Sequence, residues 1–369
     1  MKIINQYCTK LIIVLSTIML GLTGWLGVSV TTYCLFAIML LSLIKFLFVK
    51  AEIKHYVLLV GIALACFVHF LINSVSVVSI LIFLTSIMLA FSFHIEGIKK
   101  GDWILLKICA IFLSAIYLIV FLISPNYNMS GFLMLFFDNP NMTGIAICAP
   151  TLILAISLFE KKQFKQMIVL ILFLLVDLYL LYLTNNRGSF ITAIAVICFV
   201  LSVKISKSNK KPQAFVSKIL VFLPIIVMII YVALFKMLSN DIEVLGKPLF
   251  SGREGAWLKA LEKLRKNPFA TLRFEDGTLN MFLEGIARFG FLAMALYFVF
   301  LLSFKCPAQT TKSIQYIAYM AFFITLFQQS FESTLVTGSY TSYVWVYVLL
   351  GVASMKITDN TKRKNIERE

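Results

Sequence analysis

The chain has 369 residues and a formal net charge of +16; 60% of its residues are hydrophobic, 14% are charged, and its mean hydropathy is +0.94. A water-soluble fold of this length has too little interior to hide so much apolar surface, so the composition excludes a soluble domain and marks an integral membrane protein. The positive charge does not indicate nucleic-acid binding, because most of it follows the pattern of membrane topology.

A helix needs about 20 mostly apolar residues to cross a hydrocarbon core of about 30 Å, since within lipid its backbone must satisfy its own hydrogen bonds. In chain order the sequence predicts about twelve such spans: Leu11 to Gly27, Thr31 to Val49, His55 to Ile72, Val75 to Phe93, Trp103 to Ile123, Thr143 to Phe159, Met167 to Thr184, Gly188 to Val203, Lys218 to Phe235, Phe282 to Phe304, Ile314 to Ser330 and Leu335 to Met355. Lys2 and Lys10 precede the first span. Alternate connections carry Lys50/Lys54, Lys99/Lys100, Lys161/Lys162/Lys165, Lys204/Lys207/Lys210/Lys211 and Lys305/Lys312, and the tail carries Lys362, Arg363, Lys364 and Arg368. These are the cytoplasmic loops by the positive-inside rule. The connections near Ser29 and Ser74, from Ser124 to Met142, from Thr184 to Gly188 and from Glu332 to Thr337 hold no lysine and one arginine, Arg187. Both termini are then cytoplasmic. No small-residue cleavage site follows the first apolar run, which reads as a helix rather than a removable signal.

The expected architecture is an all-α polytopic integral membrane protein: transmembrane helices one to nine in residues 1–235, an extracytoplasmic loop with a short amphipathic helix in 236–281, helices ten to twelve in 282–355, and a basic cytoplasmic tail in 356–369. Cys8, Cys34, Cys66, Cys109, Cys148, Cys198 and Cys306 lie in spans or on the inner side without CxxC spacing, so neither a disulfide framework nor a metal site is implied. The cytoplasmic connections are far shorter than the roughly 100 residues a nucleotide-binding domain needs, and neither GxxxxGK[ST] nor GxGxxG occurs. Activated substrate or energy must arrive on a lipid or as an ion gradient.

Polar chemistry concentrates in the long outer connection from Phe235 to Asn280. Ser251-Gly252-Arg253-Glu254 begins a helix that Asn267-Pro268 ends, with Ser251 and Glu254 at capping-box spacing. Projected at about 100° per residue, Trp257, Ala260, Leu261 and Leu264 form one face, and Lys259, Lys263 and Lys266 form an opposite, solvated one. Arg253 falls at the N-terminal end of the apolar face. There the helix dipole and free N–H groups favour an anion; the competing reading is a structural ion pair. Arg187, in Thr184-Asn185-Asn186-Arg187-Gly188-Ser189, has no acid near it in sequence. Arg288 follows Glu284 by four residues, so a helical ion pair competes with anion binding there. Arg273 lies beside Glu275 and Asp276. Forked, permanently charged donors approaching one surface suit a diphosphate. Within the spans, Asp177 is expensive in lipid and must face the bundle interior, as a structural partner or part of a proton path. His69 reads as a satisfied bundle residue.

Asn139-Pro140-Asn141 before a span, Asn186-Arg187-Gly188-Ser189 opening another, Ser251-Gly252-Arg253 with Trp257 and Asn267-Pro268, and Asn280 to Glu284 running into Phe289-Gly290-Phe291 resemble, in that order, the O-antigen polymerase and ligase superfamily. The resemblance covers roughly Asn139 to Leu302. It implies glycan transfer from a polyprenyl diphosphate carrier on the outer face of the bacterial cytoplasmic membrane, with no nucleotide-sugar, metal or other cofactor. The implied partners are polyprenyl-diphosphate-linked oligosaccharides and membrane lipid, with flippase and chain-length regulator proteins as further candidates. Arg187, Arg253 and Arg288 would stabilise the leaving diphosphate. Asp276 and Glu275 are candidate bases for the acceptor hydroxyl, and Arg273, Asn141, Asn186, Trp257 and Asn280 would hold substrate. Two departures matter: Leu279 stands where ligases of the superfamily carry a histidine, and Phe269-Ala270-Thr271 replaces a glycine-rich turn. The expected activity is therefore polymerisation of capsule or other surface polysaccharide repeat units, with a ligase or a lipid-linked oligosaccharide flippase as alternatives. No internal repeat is evident, which speaks against an inverted-repeat transporter.

Overall fold

The computed structural model describes residues 2–22, 28–73, 76–160, 164–206, 214–237, 243–244, 247–248, 253–266, 280–308, 310–337 and 342–355. Eight helices long and apolar enough to cross a membrane come first: α1 (Lys2–Leu22), α2 (Val28–Leu47), α3 (Ile53–Asn73), α4 (Val77–Glu96), α5 (Lys100–Ile123), α6 (Pro140–Ser157), α7 (Phe164–Thr184) and α8 (Arg187–Ile205). Their outward flanks carry stripes such as Val57, Val60, Leu64 and Leu71 on α3 and Leu172 and Leu175 on α7, all exposed. Continuous apolar surface of that extent suits lipid and not water. The protein is a helical, multi-pass membrane protein.

Beyond Ile205, where the sequence predicts further spans, the helices are interrupted. The segment Lys218 to Phe235 divides into α9 (Ala214–Val221) and α10 (Leu223–Met237), bent by 57°. Pro224 sits just past the break, where its missing N–H and its ring oppose a continuous helix. The two-residue strands β1 (Glu243–Val244) and β2 (Lys247–Pro248) pair antiparallel, and α11 (Arg253–Lys266) follows. The segment Phe282 to Phe304 is cut into α12 (Met281–Phe289) and α13 (Phe291–Ser303) at Gly290, whose φ of +88° is one that L side chains rarely adopt. A Cβ at Gly290 would also lie 2.8 Å from His69 Nδ1. The helix α14 (Ile314–Ile324) gives way to a 3₁₀ turn at Gln328–Ser330, and the last segment divides into α15 (Thr334–Thr337) and α16 (Ser342–Ala353). Counting α9 with α10 as one bent span, the described residues hold up to nine spans by length and composition.

The centre of the bundle is α6, 83% buried, with α5, α7, α8, α14 and α16 around it. Its Gly144, Ala146, Ala149 and Ala155 let neighbouring backbones approach, the usual device where lipid gives no hydrophobic drive for helices to associate. Pro150 lacks the N–H that would serve the Ala146 carbonyl; the Tyr117 hydroxyl lies 3.5 Å from that oxygen and donates to Leu20 O at 3.2 Å. At Gly144 a Cβ would come within 2.5 Å of the Asn186 Cβ, so glycine is what allows the start of α8 to seat against α6. At the lysine-rich end, buried Lys45 donates to Asn5 Oδ1 and Thr9 Oγ1, both at 3.0 Å, and faces Glu96 at 3.5 Å, tying α1, α2 and α4 together.

Candidate functional site

At the end of the bundle that the charge rule assigns to the outside, the motif asparagines build a scaffold. Asn139 caps α6, its Oδ1 accepting the Asn141 N–H at 2.7 Å. Asn186 caps α8 by accepting the Ser189 N–H at 3.0 Å, and its Nδ2 donates to the Asn141 carbonyl at 2.9 Å. One side chain thus closes a helix terminus and fastens it to the next. Gln328 Nε2 donates to Ser189 Oγ at 2.7 Å, which brings in the 3₁₀ turn. Asn280 caps α12 by accepting from the N–H groups of Phe282 and Leu283 at 3.0 and 3.2 Å. Its Nδ2 donates to the carbonyls of Pro224 at 3.0 Å and Ser330 at 2.9 Å. Asn186 and Asn280 are both buried, and in this structure their side chains serve backbone; Asn141, half-buried, contributes its carbonyl.

Two arginines meet on this scaffold, each the first residue of its helix. Arg253 opens α11: its Nη1 donates to Phe331 O at 2.7 Å, its Cζ lies 5.9 Å from the Phe331 ring centroid, and its Nη2 is 3.6 Å from Glu332 Oε1. Arg187 opens α8, is half-buried, and lies within electrostatic reach of both Arg253 and the Tyr231 phenol. Beside it Gly188 packs against Phe331, 3.5 Å from where a Cβ would stand. Two like charges held close enough to repel, both at helix N-termini, make a mouth suited to an anion. Glu332 adds a carboxyl whose side chain is 3% exposed. Burial pushes it up to about 7, against the opposing pull of the Arg253 guanidinium.

The remaining sequence candidates fall elsewhere or serve the frame. Trp257 is fully buried among Met228, Tyr231 and Val232 of α10 and Leu283 of α12, with its ring 5.2 Å from Tyr231 and 6.2 Å from Phe331. The indole is enclosed by side chains and anchors α11, while Lys259, Lys263 and Lys266 point to solvent. Arg288 is paired on its own helix, its Nε donating to Glu284 Oε1 at 2.7 Å. Arg273, Glu275 and Asp276 lie outside the described residues, as do Ser251 of the capping box, Leu279 and the basic tail. His69 packs with Nε2 3.4 Å from Ala287 O and Nδ1 2.9 Å from Asn73 Nδ2. Asp177 is fully enclosed between α5, α6 and α7, its Oδ2 accepting from Ser114 Oγ at 2.8 Å and Thr151 Oγ1 at 3.2 Å, its Oδ1 without a hydrogen bond. Among the described residues, no three His, Cys, Asp or Glu side chains converge on a point where a metal ion could sit.

Glu332 is the residue that sequence reasoning passed over. Its signal is the polar run Gln328-Gln329-Ser330-Phe331-Glu332-Ser333-Thr334 inside an otherwise apolar stretch, too polar for a lipid-facing turn. No protein-family model matches the chain, and it is similar to no curated protein and to no solved structure.

Proposed function

We propose that the protein is a glycosyltransferase of the bacterial cytoplasmic membrane that joins polyprenyl-diphosphate-linked repeat units into a surface polysaccharide, working at its outer face with both termini in the cytoplasm. The observation that carries this reading is the convergence of Arg187 and Arg253, from two helix N-termini, at the mouth opposite the lysine-rich loops. A sugar hydroxyl of one repeat attacks the anomeric carbon of the glycan on another carrier, and the diphosphate leaves with the electrons of the broken C–O bond. Guanidinium groups already in place and partly buried oppose the charge that gathers on it, with little reorganisation. A transporter would instead line the middle of several spans with charge; here Asp177, a fully enclosed mid-span carboxyl among the described residues, is shut in by hydroxyls.

The test is the size distribution of lipid-linked and surface glycan in cells lacking the gene and complemented with Arg187→Ala or Arg253→Ala. Single repeats accumulating on the carrier, with long chains absent, are expected in all three. Long chains stalled on lipid would make the protein a ligase, single repeats trapped at the inner face would make it a flippase, and unchanged polymer in both variants would overturn the transferase reading.

A further inference from the structure

We propose that Asp177 is a proton-binding site at the centre of the bundle: its carboxyl holds a proton at neutral pH and donates it to Thr151, so that the proton itself fastens α7 to α5 and α6. The inference is independent of the transferase reading. Asp177, Ser114 and Thr151 are all 0% exposed. An ionised carboxylate so enclosed needs a cation or several donors to replace the water it has lost. Among the described residues Asp177 makes no ion pair, and two hydroxyls are all that reach it. The elements packed against α7 are α5, α6 and α8. With α7 they bring Lys100, Asp102, Lys107, Lys165, Arg187 and Lys204. Lys107 is closed onto Glu160 at 2.7 Å, and the others sit in the end turns of their helices. The titratable neighbours within electrostatic reach are the Tyr117 phenol of α5 and the Cys148 thiol of α6, neither of them a cation.

A count of hydrogens leads to the same place. Each hydroxyl has a single proton to give. Thr151 Oγ1 is 2.6 Å from the Ile147 carbonyl and 3.2 Å from Asp177 Oδ2, so its proton goes to the carbonyl. Ser114 Oγ is 2.8 Å from Asp177 Oδ2 and 3.1 Å from the Ala110 carbonyl, so its proton goes to the carboxyl. The contact between Thr151 and Asp177 is then two oxygens with no hydrogen between them, unless the carboxyl supplies one. A neutral acid does so: Oδ2 accepts from Ser114 and donates to Thr151, and every contact has its proton. The lengths agree, because a hydroxyl bonded to an ionised carboxylate closes to about 2.5–2.7 Å and both contacts here are longer. Oδ1 has no hydrogen bond at all. That is costly for a half-charged oxygen and far less so for the C=O of an acid. Ionisation would seal a charge between three helices and set two acceptors face to face, so the proton belongs to the folded seam.

Infrared difference spectra of the full-length protein in lipid at neutral pH test this with Asp177→Asn and Thr151→Val. The wild type should show the C=O stretch of a protonated carboxyl, above the amide bands, which Asp177→Asn loses. Thr151→Val keeps the side-chain shape but removes the acceptor of the proton, and should move that band. Asparagine can make both bonds, its amide donating to Thr151 and its oxygen accepting from Ser114, so the unfolding midpoint of Asp177→Asn should stay at the wild-type value while that of Asp177→Ala falls. Four results would each overturn the assignment: carboxylate stretches lost from Asp177→Asn in place of the acid band, an acid band unmoved in Thr151→Val, a midpoint that falls as far in Asp177→Asn as in Asp177→Ala, or an acid band that appears only when sodium and potassium are replaced by choline. The last would make the occupant a metal cation and not a proton. Should Asp177→Asn fail to fold, the wild-type-minus-Thr151→Val spectrum still decides, since a protonated Asp177 gives a paired band at the acid frequency and an ionised one gives none there.

Discussion

The helices from Lys2 to Ile205 run long and mostly unbroken, whereas the segments from Ala214 to Ala353 are interrupted, and carbonyls at their breaks take donors from remote side chains. In the first region buried hydroxyls mostly turn back onto their own helix: Thr9 to Asn5 O, Thr17 to Ile13 O, Ser92 to Met88 O and Thr151 to Ile147 O. In the second, the breaks near Pro224, at Gly290 and at Gln328–Ser330 release carbonyls, and those of Pro224, Ser330 and Phe331 are reached by Asn280 and Arg253. Irregular backbone at membrane depth survives only when buried in protein or lining a cavity, so the broken half is where polar groups gather. The two enclosed acids show the difference. Asp177, in the continuous half, meets two hydroxyls; Glu332, in the broken half, pairs with an arginine from another helix.

The hardest test of this contrast is Arg253→Met. It removes the guanidinium paired with Glu332 and the donor to Phe331 O together, and leaving one partner of a buried pair behind typically costs about 3–5 kcal/mol. A fall in the unfolding midpoint and loss of long polymer are expected together. Adding Glu332→Gln to Arg253→Met should restore much of the stability and none of the polymer; a double variant as unstable as the single one would show that the two side chains are not coupled. Protonation adds a sign. The carboxyl of Glu332 lies at about 7 when folded and near its ordinary value of about 4.3 when unfolded. The stability from its folded-state proton is then fully present below about 4.3 and is lost as pH rises through about 7. Glu332→Gln is expected to flatten the stability slope, read as unfolding midpoint against pH.

Next in size is Trp257→Ala. The fully buried indole joins α11 to α10, and emptying such a site costs about 3–5 kcal/mol, partly as a cavity. Arg253 would lose its seat with the helix, so polymer and stability should fall together, while Trp257→Phe keeps most of both. Were the ring instead a sugar platform, alanine would weaken substrate binding with the unfolding midpoint unchanged. This outcome would move the site out along α11.

Much of the continuous half is legible in the sequence because hydropathy and lysine placement are local quantities. The two faces of α11 are legible too, since Trp257 and Lys259 differ in kind at helical spacing. The breaks are not, because a hydropathy window averages across Gly290, and the side chain that leaves no room for a Cβ there, His69, is far away in sequence. Asn186 and Asn280 announce helix starts; their second bonds, to Asn141, Pro224 and Ser330, depend on packing between remote segments. Glu332 was hidden for the same reason. A carboxyl acquires its character from what surrounds it, and Arg253 comes from another helix.

The smallest effect is expected at Arg288. Family resemblance implies a third guanidinium on the diphosphate, but the structure shows Arg288 40% exposed and closed onto Glu284 one turn back on α12. A helical pair at this spacing contributes about 0.3–0.5 kcal/mol when exposed, and here only the arginine half is, the Glu284 side chain being buried. Arg288→Ala should therefore lower the unfolding midpoint less than Arg253→Met does and leave polymer length within about twofold of wild type, because removing a guanidinium that is 40% exposed opens the buried Glu284 carboxylate to solvent. A loss as deep as that of Arg253→Met would mean that Arg288 leaves its partner when the lipid diphosphate arrives. The anion site would then run along α12 into the broken half, instead of ending at the two helix starts that hold Arg187 and Arg253.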